Sequence, residues 1–145
     1  MKISYNLKEK ANNNSILRYD DGSFGCKDGY FDFQVFTQEN RSLILNFDVY
    51  SKKCLSCEGY LIDECLNKRE IKIENAIEGS LKIDLNDDDI FQGYSEYILD
   101  KKITYDDSNK MVCFGNVGNI IIKFGIGQYA SFYDNKLVGI ILEFN

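Results

Sequence analysis

The chain has 145 residues, of which 44% are apolar and 28% are charged; this content excludes a disordered chain and predicts one domain over residues 1–145. It carries 23 acidic and 17 basic side chains, a formal charge of −6, which argues against a nucleic-acid partner because phosphate contacts need a basic face. The sequence contains no histidine, so mechanisms that use an imidazole as base or metal ligand are excluded.

The beginning of the chain and its apolar runs predict a cytoplasmic protein. A secretory signal has an apolar stretch behind its charged end, and residues 1–10 have none. The longest apolar runs, residues 120–122 and 137–142, fall far short of the roughly 20 residues that a membrane-spanning helix needs. We therefore expect no membrane partner.

Short strands bounded by turn residues are expected in the first part of the chain. Residues 2–7 and 15–19 have strand character, with a polar turn at residues 12–14 between them. Asp-Gly pairs within residues 20–23 and 27–29 indicate two further turns, because aspartate tolerates turn geometry and glycine adopts a positive φ without strain.

Alternating apolar residues predict two antiparallel strands, residues 30–36 and 42–50, joined by a hairpin loop at residues 37–41. The apolar residues that share a face are Phe31, Phe33 and Val35 in the first strand and Leu43, Leu45, Phe47 and Val49 in the second. Asn46 and Asp48 are expected on the opposite side of the second strand.

The middle of the chain is open to two interpretations. Apolar residues at helical spacing make residues 60–69 either a short helix or a continuation of the sheet. Strands are expected at residues 71–73 and 81–85, joined through residues 75–80.

Residues 88–99 carry the strongest helix pattern. Asp87 is placed to cap this helix, because an aspartate oxygen accepts the free amide protons of a first turn. An apolar stripe at three-to-four spacing is formed by Ile90, Phe91, Tyr94, Tyr97 and Ile98. We expect the helix to cover one face of the sheet.

The last third of the chain predicts a meander with turns at residues 125–127 and 134–136. Its strands are expected at residues 103–105, 111–114, 119–124, 128–133 and 137–144. The fold class is therefore α+β and mostly antiparallel β, with a curved sheet or sandwich, a C-terminal meander and one or two short helices.

Apolar faces of the predicted strands give the expected core. The last strand places Val138, Ile140, Leu142 and Phe144 on one face. The residues expected to be most deeply buried are Phe33, Leu45, Phe47, Ile122, Ile140 and Leu142.

Cys54, Cys57 and Cys65 form the pattern closest to a metal site. Zinc takes four thiolate or imidazole ligands, and the fourth would have to be Cys26 or Cys113. Structural zinc sites pair two close doublets, and this chain has one, so we expect reduced, metal-free thiols and no cofactor. A zinc-stabilised domain that uses these cysteines is one alternative. We expect no enzyme, because the sequence lacks a phosphate loop and a serine nucleophile elbow.

Several tyrosines lie beside groups of acidic residues. The candidate partner-binding groups are Asp20 and Asp21 after Tyr19; Asp87, Asp88 and Asp89 before Tyr94; and Asp106 and Asp107 after Tyr105. Tyrosine supplies amphipathic anchor area, and clustered carboxylates attract a basic protein. The group at Tyr105 is favoured, because its loop has no helix to cap.

In size, acidic charge, aromatic content and proline-free, Lys/Asn/Ile-rich usage, the chain resembles the immunity proteins of bacterial polymorphic toxin systems, including contact-dependent growth inhibition. The resemblance implies a stoichiometric inhibitor that binds one cognate basic toxin domain, often a nuclease, and blocks its active site or partner surface. The carboxylate groups would then stand in for substrate phosphates. The first alternative, ahead of the zinc-stabilised domain, is a β-sheet module that binds a small apolar ligand.

Overall fold

The computed structural model of the chain describes residues 1–26, 32–40, 42–61 and 66–144. This part of the chain is mostly β-structure with one short helix. Its elements are β1 (Lys2–Asn6), β2 (Asn12–Asp20), β3 (Ser23–Cys26), β4 (Phe33–Phe36), β5 (Leu43–Phe47), β6 (Cys54–Tyr60), β7 (Leu66–Lys68), β8 (Ile77–Glu78), β9 (Ser80–Asp84), α1 (Asp87–Gln92), β10 (Tyr94–Glu96), β11 (Ile103–Asp106), β12 (Met111–Gly115), β13 (Ile120–Ile126), β14 (Gln128–Tyr133) and β15 (Lys136–Glu143).

Thirteen of the described strands form one sheet, and β1 pairs with β9 in a separate two-stranded ribbon. The main sheet has the order β10-β4-β5-β6-β3-β2-β13-β14-β15-β12-β11-β7, with β8 beside β13. Most neighbouring strands are antiparallel, but β10–β4, β11–β7, β13–β2 and β13–β8 are parallel pairs. The sheet is therefore mixed rather than purely antiparallel.

The C-terminal strands only partly follow the expected meander. β13, β14 and β15 are consecutive neighbours, joined by tight turns. Asp134 and Asn135 both have positive φ, 51° and 62°, as a two-residue turn that matches strand twist requires. β12, however, lies between β15 and β11 rather than beside β13, so the meander prediction is wrong for this strand.

The sheet curls so that its two halves face each other across the core. The ring of Phe24 in β3 lies 5.8 Å from that of Phe114 in β12. The β1–β9 ribbon packs on the same core, with Tyr5 edge-on to Phe132 at 4.8 Å. Complete burial of the expected core is confirmed for Phe33, Leu45, Phe47, Ile122, Ile140 and Leu142.

A β-bulge changes which residues at the start of the last strand face the core. Phe132 of β14 pairs with Leu137, and the next pair along the ladder joins Ser131 to Gly139. Val138 is therefore the extra residue, and Leu137 is buried in the core in its place.

The helix predicted over residues 88–99 is wrong in length and in role. It ends at Gly93, whose φ of 81° is the left-handed conformation that closes a helix, and Tyr94–Glu96 is a strand parallel to β4. Its N-cap is Asn86 rather than Asp87, and it buries no residue, so it does not cover the sheet. Within the described ranges, no helix has the length and apolar character needed to cross a membrane.

Two further local predictions are corrected. Residues 12–14 are part of β2 rather than a turn, and residues 71–73 pass along the sheet without joining a strand. Asn46, expected on the side of β5 opposite its apolar residues, is itself buried and donates a hydrogen bond to Ser56 (3.0 Å). The predicted turn at residues 27–29, residues 30–31 of the predicted strand, and residues 62–65 of the 60–69 segment lie outside the described residues.

Candidate protein-binding site

The three acidic groups singled out in the sequence lie on three different parts of the sheet. Asp20 and Asp21 belong to the β2–β3 hairpin, Asp87–Gln92 is the helix that precedes the end strand β10, and Asp106 closes β11. They are therefore three separate candidates, and each is judged by what its carboxylates already do.

Asp106 is a structural residue rather than a surface anchor. The residue is 4% exposed, and its carboxylate accepts hydrogen bonds from the backbone N–H of Ile71 (2.9 Å) and from the side-chain amide of Asn109 (2.8 Å). The bond from Ile71 and then those from Asn109 hold the pKa of Asp106 below its usual range. The premise that this loop gives its acids no structural duty does not hold for Asp106, and its role in partner binding stays a prediction.

The rest of the group favoured from the sequence, Tyr105 and Asp107, offers a partner little exposed surface. Tyr105 is half-buried against the core, and its hydroxyl donates to the exposed Asp107 carboxylate at 3.3 Å. Only Asp107 of this group presents an exposed carboxylate.

The acidic pair at Asp20 and Asp21 is exposed, and its position results from turn geometry. Asp21 and Gly22 have φ of 49° and 87°, the positive values that a tight hairpin between β2 and β3 requires. Tyr19 packs on Phe144 with ring centroids 5.2 Å apart, so part of its ring already has a neighbour.

Helix α1 is held by local contacts instead of burial. The side chain of Asn86 accepts from the N–H of Asp89 (2.8 Å), and the Asp89 carboxylate accepts from the N–H of Asn86 (3.2 Å). This reciprocal capping box fixes the first turn. Asp87 and Asp88 are exposed in the same turn, where carboxylates also favour the helix dipole.

Large apolar side chains project from α1 and β10 into solvent. Phe91 is 95% exposed, and Ile90, Tyr94 and Ile98 are each between 43% and 46% exposed. Tyr94 rests on Phe36 of β4, with ring centroids 5.7 Å apart. We call this surface, formed by Asp87, Asp88, Ile90, Phe91, Tyr94 and Ile98, the α1–β10 face.

The α1–β10 face is strongly acidic. Residues 83–100 contain six aspartate and glutamate residues and no lysine or arginine. The strand β10 also ends the main sheet, so in the part of the chain that the structure describes it has one strand neighbour, β4. Exposed apolar side chains and unneutralised carboxylates in one segment are the composition expected of a site for a basic protein surface.

The candidates that the sequence suggests include Asp87, Asp88, Asp89 and Tyr94 but not the exposed Phe91. Phe91 was assigned to a buried helical stripe because the helix was expected to continue to residue 99. The signal that could have corrected this is Gly93, which ends the helix after six residues and leaves too little of it to cover a sheet.

The cysteine side chains that the structure describes, those of Cys54, Cys57 and Cys113, lie in the apolar interior. Cys54 and Cys57 are buried in the core, and Cys54 donates weakly to the carbonyl of Ser56 at 3.5 Å. Cys65 lies outside the described residues, and within them no three metal-ligating side chains come together. The zinc alternative therefore stays a prediction.

The chain matches no protein-family model, and no curated protein matches it in sequence.

Proposed function

We propose that the chain is a stoichiometric protein inhibitor that binds a basic protein through the α1–β10 face. The observation that carries the proposal is Phe91, a phenylalanine almost fully exposed on a helix that packs no residue into the core. Because Phe91 has no role in the fold, its apolar area is available for a partner.

Apolar area is the main source of affinity at this face. Burying a phenylalanine side chain in a partner's pocket contributes about 1.5–3 kcal/mol, and aromatic anchors of this kind dominate many interfaces. Ile90, Tyr94 and Ile98 add exposed apolar area in the same segment. The face thus has a central anchor with supporting contacts.

The carboxylates of Asp87 and Asp88 determine which kind of protein surface the face would attract. Asp87 and Asp88 are exposed beside Phe91, and no basic residue of the same segment neutralises them. Their field attracts a positively charged surface and raises the association rate, an effect that salt screens over about 8 Å at physiological ionic strength.

The resemblance to immunity proteins supports a cytoplasmic role against a cognate toxin. A nuclease toxin must carry a basic surface for its phosphate substrate, and the acidic rim of the α1–β10 face would occupy that surface. In this proposal the chain inhibits by covering the toxin and performs no chemical step.

The test is binding to the product of the adjacent reading frame, measured by surface plasmon resonance at two salt concentrations. Phe91→Ala is expected to speed dissociation about 30-fold or more, the equivalent of about 2 kcal/mol. The matched control is Tyr50→Ala, which removes an equally exposed ring (96%) from the β5–β6 turn and is expected to leave binding unchanged.

The charge on the face is tested separately from its apolar anchor. Asp87→Asn with Asp88→Asn should slow association and flatten its salt dependence, with little effect on dissociation. Unchanged dissociation in Phe91→Ala, or an affinity that rises with salt, would contradict the proposal.

A further inference from the structure

A second surface, on the outer side of the other half of the sheet, forms a cleft of about 440 Å³. Residues 69–73, which we call the strap, run across β11 and β12 on this side. The N–H of Arg69 donates to the carbonyl of Tyr105 (3.0 Å), and Ile71 packs on Cys113 and Ile141. The cleft lies between the strap and residues 115–117 at the end of β12.

Three exposed basic residues lie along this cleft. Arg69, Lys72 and Lys102 line it, with Glu70 as its one carboxylate. In the described ranges no ion pair involves any of these three bases, whereas Lys53 and Lys82 share the Glu9 carboxylate. In a chain of net charge −6, three bases around one cleft therefore have no acidic partner among the described residues.

The floor of the cleft is firmly built. Thr104 of β11 pairs in register with Cys113 of β12, and both are buried. At the end of β12, the N–H of Gly115 donates to the carbonyl of Lys102 (2.8 Å). A Cβ at Gly115 would overlap the carbonyl oxygen of Val138, so this corner requires glycine. The three basic residues thus flank a part of β11 and β12 whose backbone is held by hydrogen bonds.

The cleft offers two kinds of surface to a ligand. Its bases suit an anion, and a phosphate with two negative charges gains from several cations at once. The half-exposed side chain of Val117 gives it an apolar wall, to which the largely buried Ile71 adds a small area. Its volume is within the range of small-molecule sites.

We propose that this cleft binds a small phosphate monoester, with the phosphate among Arg69, Lys72 and Lys102 and the organic group against Ile71 and Val117. The site is independent of the α1–β10 face, since it lies on β11 and β12 and uses charge of the opposite sign. Neither site needs the other to be occupied.

The test is an NMR titration of the isotope-labelled full chain with phenyl phosphate in a phosphate-free buffer of low salt. Saturable shifts are expected at the amides of Thr104, Cys113 and Val117. The double variant Lys72→Gln with Lys102→Gln should raise the dissociation constant about tenfold or more, because two charges are lost. Lys8→Gln, which removes an exposed charge from the turn after β1, should leave it unchanged.

Two further ligands test the charged contact and the apolar contact of the proposed site separately. Inorganic phosphate should shift the same amides with a dissociation constant about threefold or more above that of phenyl phosphate, because it lacks the apolar group. Phenol, which lacks the charge, should not shift them. Equal affinity for the two phosphates would overturn the monoester assignment. Absent shifts, shifts spread over the lysines of the whole surface, or equal weakening by Lys8→Gln would overturn the site.

Discussion

Phe47 and Phe91 allow the same substitution to be made at opposite extremes of burial. Phe47 in β5 is fully buried, and its neighbours across the sheet, Phe33 and Cys54, are buried as well. Phe47→Ala removes the transfer free energy of the ring and leaves a cavity that these neighbours cannot fill. Together the two effects cost about 3–5 kcal/mol, a large part of the roughly 5–15 kcal/mol that stabilises a typical domain. Phe91→Ala, at 95% exposure, should change the free energy of unfolding by less than about 0.5 kcal/mol.

The measurement is equilibrium unfolding in urea, followed by circular dichroism. With a slope of about 2 kcal/mol/M, the expected loss moves the midpoint of Phe47→Ala down by about 1.5–2.5 M and leaves that of Phe91→Ala in place. A loss below about 1 kcal/mol for Phe47→Ala would refute the assigned face of β5. A loss above about 1 kcal/mol for Phe91→Ala would show that its ring is packed in solution, and the α1–β10 face would lose its anchor.

Three other predictions concern side chains whose surroundings differ from those of their neighbours in the sequence. Asp106→Asn should lower the midpoint of thermal unfolding clearly more than Asp107→Asn does, because an amide cannot accept all the hydrogen bonds that the Asp106 carboxylate receives; equal midpoints would contradict its structural role. Cys113 should resist iodoacetamide at pH 8 until the protein unfolds, since burial raises its pKa to about 12, and fast labelling of its peptide by mass spectrometry would be inconsistent with that burial. Hydrogen bonds from Lys53 and then Lys82 lower the pKa of Glu9 from 4.5 to about 2, so its stabilising contribution is present above about pH 5 and is lost as the pH falls toward 2. Glu9→Gln should therefore reduce stability at pH 7 and have little effect near pH 2, and a pH-independent effect would argue against this ion pair.

The residues predicted best are those whose burial results from local alternation. In β5, Leu43, Leu45 and Phe47 point to one side because successive side chains of a strand alternate, and all three are fully buried. The same rule places Phe33 and Val35 correctly in β4. For these strands the pattern needs no knowledge of which strand lies next to them.

Predictions failed where distant parts of the chain decide the local structure. The apolar spacing of residues 88–99 is compatible with a helix, but Gly93 ends the helix, and parallel pairing with β4 makes residues 94–96 a strand. The burial of Asp106 depends on Ile71, 35 positions away, and no local pattern in the sequence indicates that contact. Such pairings are fixed by tertiary packing, which overrides local propensity.

The contacts that hold the α1–β10 face in place do not involve its most exposed side chain, Phe91. The segment after β10 is anchored, because the N–H of Leu99 donates to the carbonyl of Thr37 (2.9 Å) and the hydroxyl of Tyr97 to that of Leu137 (2.8 Å). Helix α1 is closed at both ends by its own caps. The side chain of Phe91 takes part in neither arrangement, so under the proposed function we expect substitutions there to alter recognition without weakening the core. An inhibitor that must match one particular partner needs this independence, since its specificity can then change while its fold remains stable.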